Sequence, residues 1–419
     1  MRPELRSRHF APPEGNNRAG RWFRKSPEPS GKSKAVKVVI LAAAIGPTSG
    51  GAGQYSRQLL PHLLPILRAA GCQVTVLLRR DANLQLPSDL ATVIRSPQAG
   101  RRTISRILLE ELWPTFVTWG TDVFFSMDSR FPLCPLWSRK KLVVVHDIQV
   151  LRHLAAPAQY PIDAPWATLK YFSLGMSKAV RIADTLITDA QFMATELVSF
   201  AGVSPDRISA IPCGIDHERF HPLRDKLRLE EVRRRYHLPP AFYLFVGQPT
   251  KQKNLRLVVE SYAAGGLPDE FRLPVVVTCN LRRSTLFEDT LARIEQAGLA
   301  GWFQFTGYVR EEDLPLIYAA AQALLYPSRY EGFGLPPVEA MACGTPVICS
   351  NSTSLPEVVG DAALLIDPER PASLAEALCK LDEATRRELA KRGVERAQAF
   401  TWESTARRVA QHLLGERAH

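Results

Sequence analysis

Nowhere in its 419 residues does the chain hold the ~18–20 consecutive apolar residues that a membrane-spanning helix needs, so no such span is expected. No C-x-x-C pair occurs. The seven cysteines (72, 134, 213, 279, 343, 349, 379) are scattered and have no histidine-rich company, which excludes a zinc or disulfide framework. They read as buried or incidental thiols in a reducing cytosol. The N-terminal stretch is basic but lacks the apolar core of a secretory signal. There is no D-x-D triplet to clamp a divalent cation and no G-x-G-x-x-G fingerprint for a dinucleotide.

What is present is apolar content of 46%, ample for full cores, in a length that suggests two or three domains. The net charge of +11 is unevenly spread. Residues 1–34 hold nine Lys/Arg against three Glu, with much Pro, Gly, Ser and Asn and no apolar periodicity. Residues 1–35 are therefore read as a disordered basic arm. Such an arm suits anionic lipid headgroups or nucleic acid. It suits equally a solvated extension without a partner, or a start codon placed too early.

From Val36 the pattern changes. Val36–Ala42 is a continuous β-branched run of the kind buried in a parallel sheet. The glycine-rich turn Gly46–Gly53, a helical pattern through Tyr55, Leu59, Leu63 and Leu67, and the run Gln73–Leu78 complete a βαβ unit. Further strands are expected at 122–126, 141–146, 185–188 and 207–211, with helices at 104–113, 166–182 and 191–201. A charged, helix-prone stretch (Arg224 through Arg235) ending in Pro239-Pro240 reads as an inter-domain connection at 223–240. A second βα series follows, with strands at 242–246, 275–278, 303–305, 323–326, 346–349 and 363–366. Its helices are expected at 255–263, 285–296, 311–321, 337–343 and 371–379. The fold class is α/β: two doubly wound Rossmann-like domains, 36–222 and 241–398, facing a central cleft, with a last helix in 399–419.

The densest chemistry lies in Ser328–Ile348. Pro336 and Pro337 suit the first positions of a short helix, so the Phe333-Gly334-Leu335 backbone would present N–H groups at a positive dipole end. Glu331 precedes this anion site and Glu339 lies in its first turns. A diphosphate attached to polyhydroxyl groups would use both halves. Considered singly, Glu339 could be a dipole-stabilised helix residue and Glu331 a solvated loop carboxylate. Three other sites stand at strand ends: the turn containing Gly51 and Gly53, His146-Asp147, and Gly247-Gln-Pro-Thr-Lys251-Gln252-Lys253-Asn254. A loop cation such as Lys253 could stabilise a leaving phosphate or simply be a solvated surface charge.

The block E-G-F-G-L-P-x-x-E-A-M-A-C-G-x-P-V-I, continuing through Ser350–Pro368, resembles retaining glycosyltransferases of family 4, which have the GT-B fold. The resemblance implies that Glu331 contacts a donor sugar, that the Phe333, Gly334 and Leu335 amides contact sugar and diphosphate, and that Glu339 holds ribose hydroxyls. It implies further that Gly51 and Gly53 let the backbone approach the donor, that His146 touches a sugar hydroxyl, and that Tyr308 lies near the nucleobase. It also implies that the last helix packs back across the first domain. Lys253 and Asn254 match the family's Lys-Asn, but Gln252 stands where Arg is usual, removing a charged bidentate donor. Lys251 next to it is a candidate substitute.

The resulting expectation is a retaining, metal-independent transfer of a hexose, mannose first, from GDP-mannose or a UDP-hexose. The acceptor would be a saccharide or lipid-linked saccharide in cell-surface polysaccharide synthesis such as lipopolysaccharide. No cofactor and no nucleic-acid partner are expected. The location would be cytoplasmic, with peripheral contact at the inner face of the membrane. The alternatives are a sugar-nucleotide epimerase on the same fold, a non-catalytic nucleotide-sugar-binding homologue, and a dinucleotide oxidoreductase, disfavoured by the missing fingerprint.

Overall fold

A computed structural model describes residues 35–46, 50–96, 111–162, 164–223, 225–279 and 285–415. The basic arm and most of the helix expected at 104–113 lie outside these; residues 111–117 are helical. Seven strands form the first sheet: β1 Lys37–Ala42, β2 Gln73–Leu78, β3 Thr92–Arg95, β4 Val123–Ser126, β5 Lys140–Val145, β6 Thr185–Thr188 and β7 Ile208–Ala210. Six form the second: β8 Tyr243–Val246, β9 Val275–Thr278, β10 Phe303–Gly307, β11 Ala323–Tyr326, β12 Val347–Ser350 and β13 Ala363–Ile366.

The orders are β3-β2-β1-β4-β5-β6-β7 and β10-β9-β8-β11-β12-β13. Every named pairing is parallel. Parallel strands need crossovers, and burial on both faces explains the unbroken apolar runs. Val38, Ile40, Val143 and Val144 in the first sheet, and Val276, Leu324 and Ile348 in the second, are fully or almost fully buried. In each sheet the order reverses beside the first strand, between β1 and β4 and between β8 and β11. Crevices for ligands open at such switch points.

The chain crosses between the sheets twice, side by side. Ile215 pairs with Thr401 in an isolated parallel bridge, and the helix Trp402–Leu414 then packs on the helix Gly51–Ala69 of the first half. Trp402 and Tyr55 meet edge to face at 5.5 Å. The stretch expected as a connection contains the helix Lys226–Arg235, whose Arg235 grips Asp313 at 2.9 Å. It therefore packs against the second half rather than hanging between the two. Among the described residues no helix is long and apolar enough to cross a membrane.

Candidate active site

Both switch points open onto one cleft of about 600 Å³, walled by each half of the chain. Two helix N-termini reach it, Gly51–Ala69 from the first half and Leu335–Ala342 from the second, and neither has a capping side chain. Helix starts without caps leave N–H donors and a positive dipole end for an anion. Gly334 holds φ +96°, a left-handed turn that a side chain would strain. Gly332 is required for a different reason. A Cβ there would lie 1.6 Å from the His146 carbonyl oxygen, so the glycine loop of one half lies directly on the other half.

Glu331 is 9% exposed. Its Oε1 accepts from Lys253 Nζ at 2.7 Å and from Ser328 Oγ at 2.5 Å, while Lys253 also donates to the Tyr326 hydroxyl at 2.5 Å. Lys253 ends the turn after β8, and Glu331 lies in the loop after β11. Adjacent strands thus bring together a cation and a carboxylate 78 positions apart in the chain. Glu339, one helical turn inside the second N-terminus, accepts from Tyr318 at 2.8 Å. Burial raises its pKa, and the hydrogen bond from Tyr318 and the nearby Arg219 offset this in part.

His146 follows β5, and both of its ring nitrogens are engaged within the protein. Nδ1 lies 2.6 Å from Asp189 Oδ2 and Nε2 lies 3.1 Å from the Met127 carbonyl oxygen. Burial pulls its pKa down, but the Asp189 carboxylate and the Met127 carbonyl outweigh this and raise it. Two acceptors, one on each nitrogen, favour the imidazolium. The side chain expected to touch a sugar hydroxyl is thus held by its own protein. What it brings to the cleft is an imidazole paired with Asp189 and a backbone carbonyl that meets Gly332.

Other expected residues fall differently. Gly51 lines the cleft with Gly50 and Ala52, whereas Gly53 is buried in the helix's first turn, because the helix starts earlier than the sequence pattern shows. Lys251 lines a neighbouring hollow with Arg329 and Tyr330, turned aside by the tight turn at 251–254. Tyr308 is 67% exposed and outside the cleft lining, since β10 is an edge strand two places from the switch point. Gln252 touches the cleft, but its amide donates to the Tyr330 carbonyl at 2.5 Å and so holds the loop that carries Glu331. The sequence reading missed Arg219, which lines the cleft beside Glu339 and whose NH1 lies 3.7 Å from Glu311. It missed Asp189 also. Asp189 directly follows β6, a strand-end signal that was available, whereas Arg219 stands in a loop without such a mark. Among the described residues no group of three or more His, Cys, Asp or Glu is arranged to hold a metal ion.

Two doubly wound sheets across a cleft, with paired helix N-termini and a lysine–glutamate pair in it, define the GT-B class of fold. Residues 230–400 match the family described as Glycosyl transferases group 1, and residues 49–219 match Glycosyltransferase Family 4. The chain belongs to the family 4 glycosyltransferases. It is 33% identical over 271 residues to the O-antigen chain mannosyltransferase B of Escherichia coli, covering 63% of this chain and 68% of that one. It is 31% identical over 229 residues to the serotype-specific mannosyltransferase WbdA of the same organism, covering 54% of this chain but only 28% of that longer protein. The fold matches Anabaena HepE, solved with UDP and glucose, at a TM-score of 0.69 and 16% identity over 91% of this chain and 100% of that one.

Proposed function

We propose that this glycosyltransferase moves mannose from GDP-mannose to a saccharide or lipid-linked saccharide of a cell-surface polysaccharide, retaining the anomeric configuration and using no divalent metal. The observation that carries the reading is the Lys253–Glu331 pair beside the uncapped start of helix Leu335–Ala342. In this reading Lys253 and the Phe333–Leu335 amides neutralise the diphosphate as the glycosidic bond breaks. Preorganised cations and dipoles of this kind contribute roughly 3–4 kcal/mol per lost donor. Glu339 takes the ribose hydroxyls and Glu331 the sugar. The acceptor hydroxyl attacks from the face that the phosphate leaves, and a phosphate oxygen takes its proton, so that no protein nucleophile is needed.

Mannose is supported by the two E. coli mannosyltransferases, and GDP is the carrier proposed for it. A UDP-hexose is the second donor, favoured by the fold shared with HepE, whose structure holds UDP and glucose. Thermal midpoints of the purified chain with GDP-mannose, UDP-glucose, GDP and UDP separate them. GDP-mannose is expected to raise the midpoint most. A rise with UDP-glucose alone replaces the donor, and no rise with any nucleotide sugar removes the reading. Transfer in excess EDTA, followed by NMR of the new anomeric proton, tests the metal and the stereochemistry.

A further inference from the structure

Three segments of the first half knit into one apolar face, and none of the apolar residues that make it lines the cleft. The helix ending at residue 117 and the turn after it carry Phe116 and Trp119. The loop after β4 carries Leu133 and Trp137, and the helix Trp166–Ile182 carries Phe172 and Leu174. Phe116 is 77% exposed, Trp119 72% and Trp137 52%.

These rings are not on a loose loop. The Trp119 and Trp137 rings meet edge to face at 5.3 Å. Glu111 accepts the Leu133 N–H, and Lys178 donates to the Pro132 and Cys134 carbonyls at 2.6 and 2.5 Å. Exposed tryptophans held in place disfavour the protein in water and favour it at an interface with one apolar and one wet side.

Charge decides the partner. The three segments hold two carboxylates, neither of them on this face: Glu111 is buried and ion-paired with Arg130 at 2.8 Å, and Asp128 accepts from the Ala43 and Ala44 N–H groups at 2.8 Å. Arg139, which follows Trp137 closely, is 87% exposed at its side chain and only loosely paired, 4.0 Å from Asp122, and Lys170 and Arg181 are exposed on the helix that carries Leu174. A second copy of the chain would bring this positive face against itself. An anionic bilayer offers headgroup charge for the cations and a boundary depth for the indoles.

We propose that Phe116, Trp119, Leu133 and Trp137, flanked by Arg139, Lys170 and Arg181, form a docking surface for an anionic phospholipid bilayer. The proposal deepens the acceptor half of the function above, since a lipid-linked acceptor resides at such a surface. Vesicle binding is measured without turnover, so either can fail alone.

The test is co-sedimentation of the full chain with phosphatidylglycerol-rich vesicles and with phosphatidylcholine vesicles. Binding is expected to the first and to be weakened by salt. Trp119→Ser/Trp137→Ser should lower the affinity at least tenfold, and Arg139→Glu/Lys170→Glu should abolish the preference for anionic lipid. Circular dichroism melts verify that each variant folds. Undiminished binding in both variants overturns the proposal. So does a wild-type chain that ignores both vesicles but forms a dimer that Trp119→Ser/Trp137→Ser dissociates.

Discussion

Lys253 and Glu331 reach the cleft from the loops after two neighbouring strands and meet at 2.7 Å, with Ser328 on the same carboxylate oxygen and Tyr326 on the same ammonium. The pair is largely shielded from water, so each partner holds the other in position. Removing one leaves the other charged and unpaired, which costs more than the pair contributes. Lys253→Met should therefore lower kcat by about 100- to 1000-fold, with a smaller change in donor KM. Glu331→Gln should also lower kcat. The double variant should fall short of the sum of the two, with a coupling of roughly 1–3 kcal/mol in a kinetic double-mutant cycle. Additive losses would show that the two act separately.

The contact of Gly332 with the His146 carbonyl sets how closely the two halves approach. Across the same gap the Glu357 carboxylate accepts from the backbone N–H groups of Gln191 and Phe192 at 2.8 and 2.9 Å, capping a first-half helix from the second half. Gly332→Ala places a methyl carbon where the carbonyl oxygen stands. The halves are expected to remain apart, with kcat reduced at least 100-fold, GDP binding by calorimetry nearly unchanged, and a larger radius of gyration by X-ray scattering in the presence of donor. Normal turnover in this variant would mean that the contact is not part of the reacting state.

How legible the site was depends on where each residue stands in the chain. Strands such as Gln73–Leu78 and Val275–Thr278 announce themselves as unbroken apolar runs because both faces are buried. The edge strand Thr92–Arg95 does not, because its side chains are half exposed and it spans only four residues. The helix Glu383–Ala397 also escaped, since its buried stripe is Leu389, Gly393 and Ala397, too small to show an apolar period among so many charges. Glu331 and Glu339 were readable from the glycine and proline grammar between them. Their partners Tyr326, Ser328 and Tyr318 were not, because hydrogen bonding between loops leaves no periodic trace. Arg219 read as one charge among several in Ile215–Phe220, and only the crossing of the chain between the halves gives it a place in the cleft.

Gln252 is both the departure from the family pattern and a structural tie. Its amide holds the Tyr330 carbonyl, and the Tyr330 ring is wedged edge-on against Tyr160 at 5.9 Å and Phe192 at 6.3 Å. Gln252→Arg can keep that hydrogen bond and add a charge beside the diphosphate. Donor kcat/KM is expected to rise several-fold, with the thermal midpoint of the unliganded protein unchanged. Gln252→Ala should lower stability by about 1 kcal/mol, the typical net contribution of one hydrogen bond, in urea unfolding. An arginine variant without gain would assign the missing charge to Lys253 and Arg219 together.

The pH response of the donor site follows from Glu339. Burial raises its pKa above the ordinary value of 4.5, so the unliganded fold favours the protonated acid. A raised folded-state pKa gives stability that is full below the unfolded value and is lost as pH rises through the folded one. Ribose hydroxyls need the opposite form, a carboxylate that accepts. Unliganded stability should therefore fall with rising pH through this window, while affinity for GDP or UDP rises. Thermal midpoints with and without nucleotide, taken from about pH 4.5 to 7, should draw apart as pH increases. Glu339→Gln removes the titration, so in that variant the two curves should run parallel, with weaker nucleotide binding throughout. Parallel curves in the wild type would show that Glu339 does not ionise in response to the donor, and its place at the ribose would have to be given up.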